Sequence, residues 1–291
     1  MATVGQWVAG ARPRTLPAAF APVAVGTGAA HASGGSDLGL ALLALVVAVS
    51  LQVGVNYAND YSDGVRGTDA TRVGPMRLVG SGFADAGLVK AAAFFSFGTG
   101  AVAGLALVAL SNSWLLLLVG AVAIVAAWRY TGGAHPYGYR GLGEVAVFVF
   151  FGLVAVLGTQ WTQVQTLSLA GLAGAVGVGA FACAILVANN LRDIPGDHGV
   201  GKRTLAVQLG AVRTRTFYVS LVALAYAVVP LAAIGNVWAL LALLAAPTAW
   251  PPVQRVRSGA TGGDLIPVLG GTGLAQLVYA VLLTLGLVLS A

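Results

Sequence analysis

Charge is what this sequence has least of. Asp, Glu, Lys and Arg together make up 8% of its 291 residues, against roughly 25% in an ordinary soluble domain. So few charges cannot clothe a water-facing surface, which excludes a soluble globular class. Cysteine is nearly absent. Cys183 stands alone inside an apolar run, so there is no disulfide framework and the thiol reads as a small packing residue. No basic domain stands outside the apolar runs, so the net charge of +6 does not point to nucleic acid. No cleavable signal is expected either: Arg12-Pro-Arg14 opens an apolar run that no small-residue cleavage site follows. Short alternating strands, the mark of a membrane β-barrel, are also missing.

What is present is long and apolar. Hydrophobic residues make up 58% of the chain and the mean hydropathy is +0.89. A membrane-crossing helix needs about 20 such residues. Runs of that kind occupy 16–30, 38–57, 87–110, 114–128, 145–159, 167–191, 217–234, 237–251 and 265–289. They predict an all-α polytopic membrane protein of about nine transmembrane helices, with residues 1–291 as a single domain. The 41 glycines suit this class, because small residues let helices approach closely in lipid.

The cations give an orientation. Arg12 and Arg14 precede the first run; Arg66, Arg72, Arg77 and Lys90 lie between the second and third. Arg129 and Arg140 follow the fourth, and Arg192, Lys202, Arg203, Arg213 and Arg215 follow the sixth; Arg255 and Arg257 follow the eighth. These are all 15 Lys and Arg, and every one falls on the same side. The positive-inside rule then predicts a cytoplasmic N-terminus and an outside C-terminus in the plasma membrane. The opposite loops are short and bare of cations, so function is expected on the cytoplasmic face. Trp7 and the two arginines after it predict an interfacial helix over 5–14.

Acidity is gathered in two places. Asn56-Tyr-Ala-Asn59-Asp60-Tyr-Ser-Asp63-Gly-Val-Arg66-Gly-Thr-Asp69 follows the second run, and Asn189-Asn-Leu-Arg192-Asp193-Ile-Pro-Gly-Asp197 follows the sixth. Five of the nine acidic residues sit there. The spacing Asn-x3-Asp recurs four helices apart, which suggests two four-helix halves plus one helix, with a site at their interface. Residues four apart share a helix face, so Asn56 aligns with Asp60 and Asn189 with Asp193. Pro195 and Gly196 predict a helix end, which puts Asp197 in the loop beyond it. Asp37, Asp85 and Asp264 stand alone and read as loop or helix-start residues.

Clustered carboxylates and amides at a membrane edge are costly and usually functional. Oxygen ligands of this kind suit Mg2+, which binds through a few carboxylates plus substrate phosphates. Arg66, Arg72, Arg77, Lys202 and Arg203 flank the acids and complete a receptacle for a diphosphate. Thr204 to Gly210 predicts a short helix closed by glycine. Tyr57, Tyr61, Tyr130, Tyr137 and Tyr139 are candidates for an aromatic wall beside a cation.

These stretches resemble the signature motifs of the UbiA superfamily of intramembrane aromatic prenyltransferases: Asn59-Asp60-Tyr-Ser-Asp63 matches the first and Asp193-Ile-Pro-Gly-Asp197 the second. Arg72-Val-Gly-Pro, Tyr130-Thr-Gly-Gly, Gly138-Tyr-Arg-Gly-Leu-Gly-Glu144 and Gly201-Lys-Arg-Thr-Leu-Ala206 narrow the resemblance to the branch acting on 1,4-dihydroxy-2-naphthoate. The resemblance implies a Mg2+-dependent transfer of a polyprenyl chain from polyprenyl diphosphate to that ring, with decarboxylation to demethylmenaquinone. It assigns Asp60, Asp63, Asp193 and Asp197 to the metal. Asn56, Asn59, Asn189, Arg66, Arg72, Lys202, Arg203, Tyr130 and Tyr139 would bind substrate. A sister enzyme with another aromatic acceptor would share both acidic motifs. A cation-coupled transporter also buries carboxylates beside repeats, but it gates to both sides, whereas here one face is bare.

Overall fold

The computed structural model describes residues 2–67 and 76–289, and among them every regular element is helical. Seven helical rods are long and apolar enough to cross a membrane: Leu38–Val65, Ala86–Ser111, Gly143–Val164, Leu169–Gly199, Leu205–Ala232, Val237–Arg257 and Gly262–Val288. The other two expected crossings form shorter helices, α2 (Pro17–Ala32, 16 residues) and α5 (Leu115–Arg129, 15 residues). The lone acids begin helices as expected. Asp37 Oδ1 accepts from Leu40 N and caps α3 (Leu38–Val65), and Asp85 does the same for α4 (Ala86–Ser111) through Gly87 N.

The expected helix over 5–14 is broken. Thr3 and Gln6 form a capping box on α1 (Val4–Gly10), and Arg12 then turns into the left-handed region at φ 55°. That turn resets the chain before Pro17 starts α2.

The centre of the bundle is α8, Leu169–Gly199. Its inner residues, from Ala173 to Ala188, form the main core with α2, α9 (Leu205–Ala227) and α12 (Ile266–Val288). Close approach explains the composition. A Cβ at Gly177 would lie 2.2 Å from the Tyr279 hydroxyl, and one at Gly152 would lie 2.7 Å from the carbonyl of Ala175. Around Gly152 the rod Gly143–Val164 widens into a π-helical stretch, Phe148–Val154, between α6 (Gly143–Val147) and α7 (Ala155–Val164). Such bulges are frequent at functional sites. On the other side α3 packs along α4, and α12 closes the bundle against α2.

One expectation is corrected here. α8 does not end at Pro195-Gly196; it runs on to Gly199 and carries Asp197 within it. Proline removes one hydrogen bond but its fixed φ is helical, and packing against neighbours makes up the loss. Asp193 and Asp197 therefore sit four apart on one face. The glycine-closed short helix is present: Gly210 (φ 73°, ψ 166°) breaks α9 after its first turns.

Gly177→Val should destabilise the protein by about 1–3 kcal/mol through overpacking against Tyr279. A thermal-aggregation assay in detergent checks this, with Gly120→Ala, which meets nothing within 4 Å, as the unchanged control.

Candidate active site

A chamber of about 960 Å³ opens between the α3–α4–α5 side and the α6–α8 side. Most of its wall is small and apolar: Ala44, Val47 and Ala48 from α3, Gly100 and Gly104 from α4, Gly120 and Ala123 from α5, and Phe150 and Phe151 from the π-helical stretch. One end is polar. Asp63, Asp193 and Asp197 all line that end, together with Asn56, Asn59, Asn189, Tyr130, Tyr139 and Lys202.

The two buried acids, Asp63 and Asp193, are matched by donors, as burial demands. Asp63 Oδ1 accepts from Lys202 Nζ at 2.9 Å and from the Tyr139 hydroxyl, and Arg77 Nη2 lies 3.9 Å from its other oxygen. The Lys202 bond joins residues 139 positions apart and ties the end of α3 to the loop after α8. Lys202 Nζ also stands 4.5 Å over the Tyr139 ring. Asp193 is held by the guanidinium of Arg192, Nε to Oδ1 at 2.7 Å and Nη2 to Oδ2 at 2.8 Å; Nη2 also donates to Asn189 Oδ1. Burial, then the Asp63 charge beside it, raises the Tyr139 phenol well above its ordinary value, so the hydroxyl stays a donor. Burial alone pushes Tyr137 up to about 12.

The amides are anchored. Asn56 Nδ2 donates to Ala11 O at 2.9 Å and to Thr15 Oγ1 at 3.0 Å, which fastens the turn before α2 to α3. Asn59 Oδ1 accepts from Thr131 Oγ1 at 2.7 Å.

Other residues expected at the site are placed elsewhere. Asp60, only 1% exposed, does not line the chamber. Its two oxygens accept from Leu78 N at 2.8 Å and Val79 N at 3.0 Å, folding the loop after residue 75 back onto α3. Arg66 donates to the carbonyls of Thr131 and Gly133 and lies over the Tyr139 ring, so it joins two loops. The Arg203 side chain is exposed beside a small surface cleft, while its backbone N–H bonds Tyr139 O at 2.9 Å. Arg72 lies outside the described residues. Arg77, expected in the diphosphate receptacle, lines the chamber, and so do Thr131, Asn190 and Arg192, which carried no site assignment from sequence. Arg192 was visible as charge, but Thr131 and Asn190 gave no signal beyond lying within quoted motifs.

Among the described residues no three His, Cys, Asp or Glu side chains converge into a ready metal cage. The three chamber carboxylates with Asn189 nevertheless fit Mg2+ chemistry. That ion takes one or two carboxylates from the protein and the rest of its ligands from water and phosphate.

Asp60→Asn replaces one acceptor with a donor and should leave Leu78 N or Val79 N unpaired, at a cost of about 1–3 kcal/mol. Hydrogen exchange at those two amides should then quicken by roughly tenfold or more, and unchanged protection would contradict the loop-holding role.

Comparison with known proteins places the chain in a family. The model of the UbiA prenyltransferase family matches residues 19–263. A 1,4-dihydroxy-2-naphthoate octaprenyltransferase of Mycobacterium tuberculosis is 57% identical over 96% of this chain and 96% of its own. One of Escherichia coli is 39% identical over 98% and 95%. A UbiA homolog from Archaeoglobus fulgidus, solved bound to GPP and Mg2+, superposes with a TM-score of 0.65 at 13% identity, covering 97% of this chain and 99% of its own. On the family match and these relatives together, the chain belongs to the UbiA prenyltransferase family.

Proposed function

We propose that this protein transfers a polyprenyl chain from polyprenyl diphosphate to 1,4-dihydroxy-2-naphthoate, with loss of carbon dioxide, giving the hydroquinone form of demethylmenaquinone. The observation that carries the reading is the chamber itself: three aspartates and a lysine at one end, and a long apolar wall beyond. A diphosphate with a hydrocarbon tail has the same division of polarity. The acceptor's identity follows the relatives named for it.

In this reading Asp63, Asp193 and Asp197, with Asn189, would hold Mg2+, which when bound would neutralise charge developing on the leaving diphosphate. Lys202, held beside Asp63, and Arg192, held beside Asp193, meet the remaining phosphate charge. Asn56 and Asn59 keep the α3 side of the mouth in register. The allylic C–O bond breaks with its electron pair leaving on diphosphate. The ring's electrons form the new C–C bond, and the pair of the departing carboxylate restores the aromatic ring. No net proton is released. Tyr130 and Tyr139 present neutral aromatic faces that stabilise the allylic cation, and the apolar wall keeps water from trapping it. Asp60 and Arg66 support the site by holding its loops.

The reading places the chain as one domain in the plasma membrane, with nine crossings, α2 and α5 being the short ones. The N-terminus and the polar mouth face the cytoplasm and the C-terminus lies outside. All Lys and Arg flank one set of loops, which supports this orientation.

Purified protein given dihydroxynaphthoate, a polyprenyl diphosphate and Mg2+ should form the prenylated, decarboxylated product by mass spectrometry. Asp193→Asn should lower turnover by about 100-fold or more while the protein still inserts in the membrane, as expected for loss of a group that stabilises developing charge. Retained turnover would count against the carboxylate role.

A further inference from the structure

Next to the carboxylate mouth the chamber has a second polar element that diphosphate chemistry does not use. Glu144, the one glutamate of the chain, lies in the first turn of α6 and is only 5% exposed. Its Oε1 accepts from Asn190 Nδ2 at 3.0 Å, and among the described residues its buried Oε2 meets no partner. The Glu144 peptide oxygen accepts from Cys183 Sγ at 3.1 Å, which pins the turn to α8. Glu144 is set behind the wall; Asn190 is in it.

A carboxyl oxygen that carries no proton accepts hydrogen bonds and cannot donate them, and Oε1 is the atom turned to Asn190. It therefore decides which end of the neighbouring amide faces it. The Asn190 NH2 turns to Glu144, which leaves Oδ1 for the chamber side. Asn190 precedes Asp193 by three residues on α8, so this oxygen stands about one helical turn from the diphosphate end. The Tyr130 hydroxyl lies against Gly143, the neighbour of Glu144, where a Cβ would come within 3.2 Å of the hydroxyl oxygen.

We infer that Glu144 is a positioning residue that fixes Asn190 Oδ1 as a hydrogen-bond acceptor in the chamber wall, and that this acceptor selects an aromatic co-substrate by its free ring hydroxyl. The inference rests on the reading that the chamber takes an aromatic acceptor. A hydroxyl donating to Oδ1 is held with its ring near the allylic carbon, and the donated hydrogen bond raises electron density in the ring that attacks. An acceptor whose hydroxyl is methylated leaves Oδ1 unpaired in a dry wall. A site built to bond a substrate hydroxyl rejects analogues that lack it far more strongly than an apolar pocket does. Glutamine at position 144 would both donate and accept, so the Asn190 amide would be free to turn round and show its NH2 to the chamber.

The test uses the full chain in lipid nanodiscs, with dihydroxynaphthoate and its 1- and 4-O-methyl ethers as acceptors. If the wild type fails to turn over dihydroxynaphthoate, the functional reading falls, and this inference with it. If it does, Glu144→Gln should raise the KM for dihydroxynaphthoate about tenfold or more, as for a lost hydrogen bond to a polar partner. The KM for polyprenyl diphosphate should stay unchanged, and the preference for free hydroxyl over methyl ether should shrink by a similar factor. Asn190→Ala should give the same selective loss, and it carries the test alone if the first variant does not accumulate. An unchanged preference for the free hydroxyl, or an equal rise in KM for both substrates, would overturn the assignment.

Discussion

The bond between Asp63 and Lys202 is the constraint on which the rest depends. It joins the end of α3 to the chain just beyond α8, across nearly half the length of the protein. Both side chains are nearly buried, so removing either leaves a lone charge in a poorly solvated mouth, at a cost of about 3–5 kcal/mol. Buried pairs of this kind add little net stability compared with apolar packing. What they supply is uniqueness, since only one relative placement of the two halves satisfies both charges. Tyr139 and Arg77 complete the arrangement from two further loops. The mouth is thus assembled from segments that have no contact along the sequence.

Around that constraint the fold separates two solvents. α8 is packed tightly enough through glycine and alanine to serve as a fixed post. α5 has no fully buried residue and lies at the rim of the chamber, toward the lipid. A rigid polar post facing a loosely covered apolar wall suits a substrate with a charged head and a long hydrocarbon tail. The π-helical stretch Phe148–Val154 contributes two phenylalanines to that wall.

Much of this was legible in the residues. Scarce charge and long apolar runs announce the membrane, and two acidic stretches after such runs mark where polar chemistry must lie. Less visible was which way each acid faces. Asp60 and Asp63 are three apart on one helix, yet Asp60 serves the amides of Leu78 and Val79 while Asp63 meets Lys202. That division is set by where Leu78 and Val79 lie against α3. Pro195-Gly196 looks like a stop by local rules, but packing in the bundle overrides local preference and carries α8 through to Gly199. Arg66 and Arg203 read as phosphate ligands by charge alone, and tertiary bonds send the first to loop carbonyls and leave the second exposed. Asn190 acquires meaning only through Glu144, 46 residues away.

The most direct measurement is a structure of the protein with Mg2+ and a non-hydrolysable polyprenyl thiolodiphosphate. The account predicts the diphosphate between the Asp63 and Asp193–Asp197 walls, with the tail running along α3, α4 and α5. A diphosphate seated away from either wall, or a tail lying outside the chamber, would contradict it.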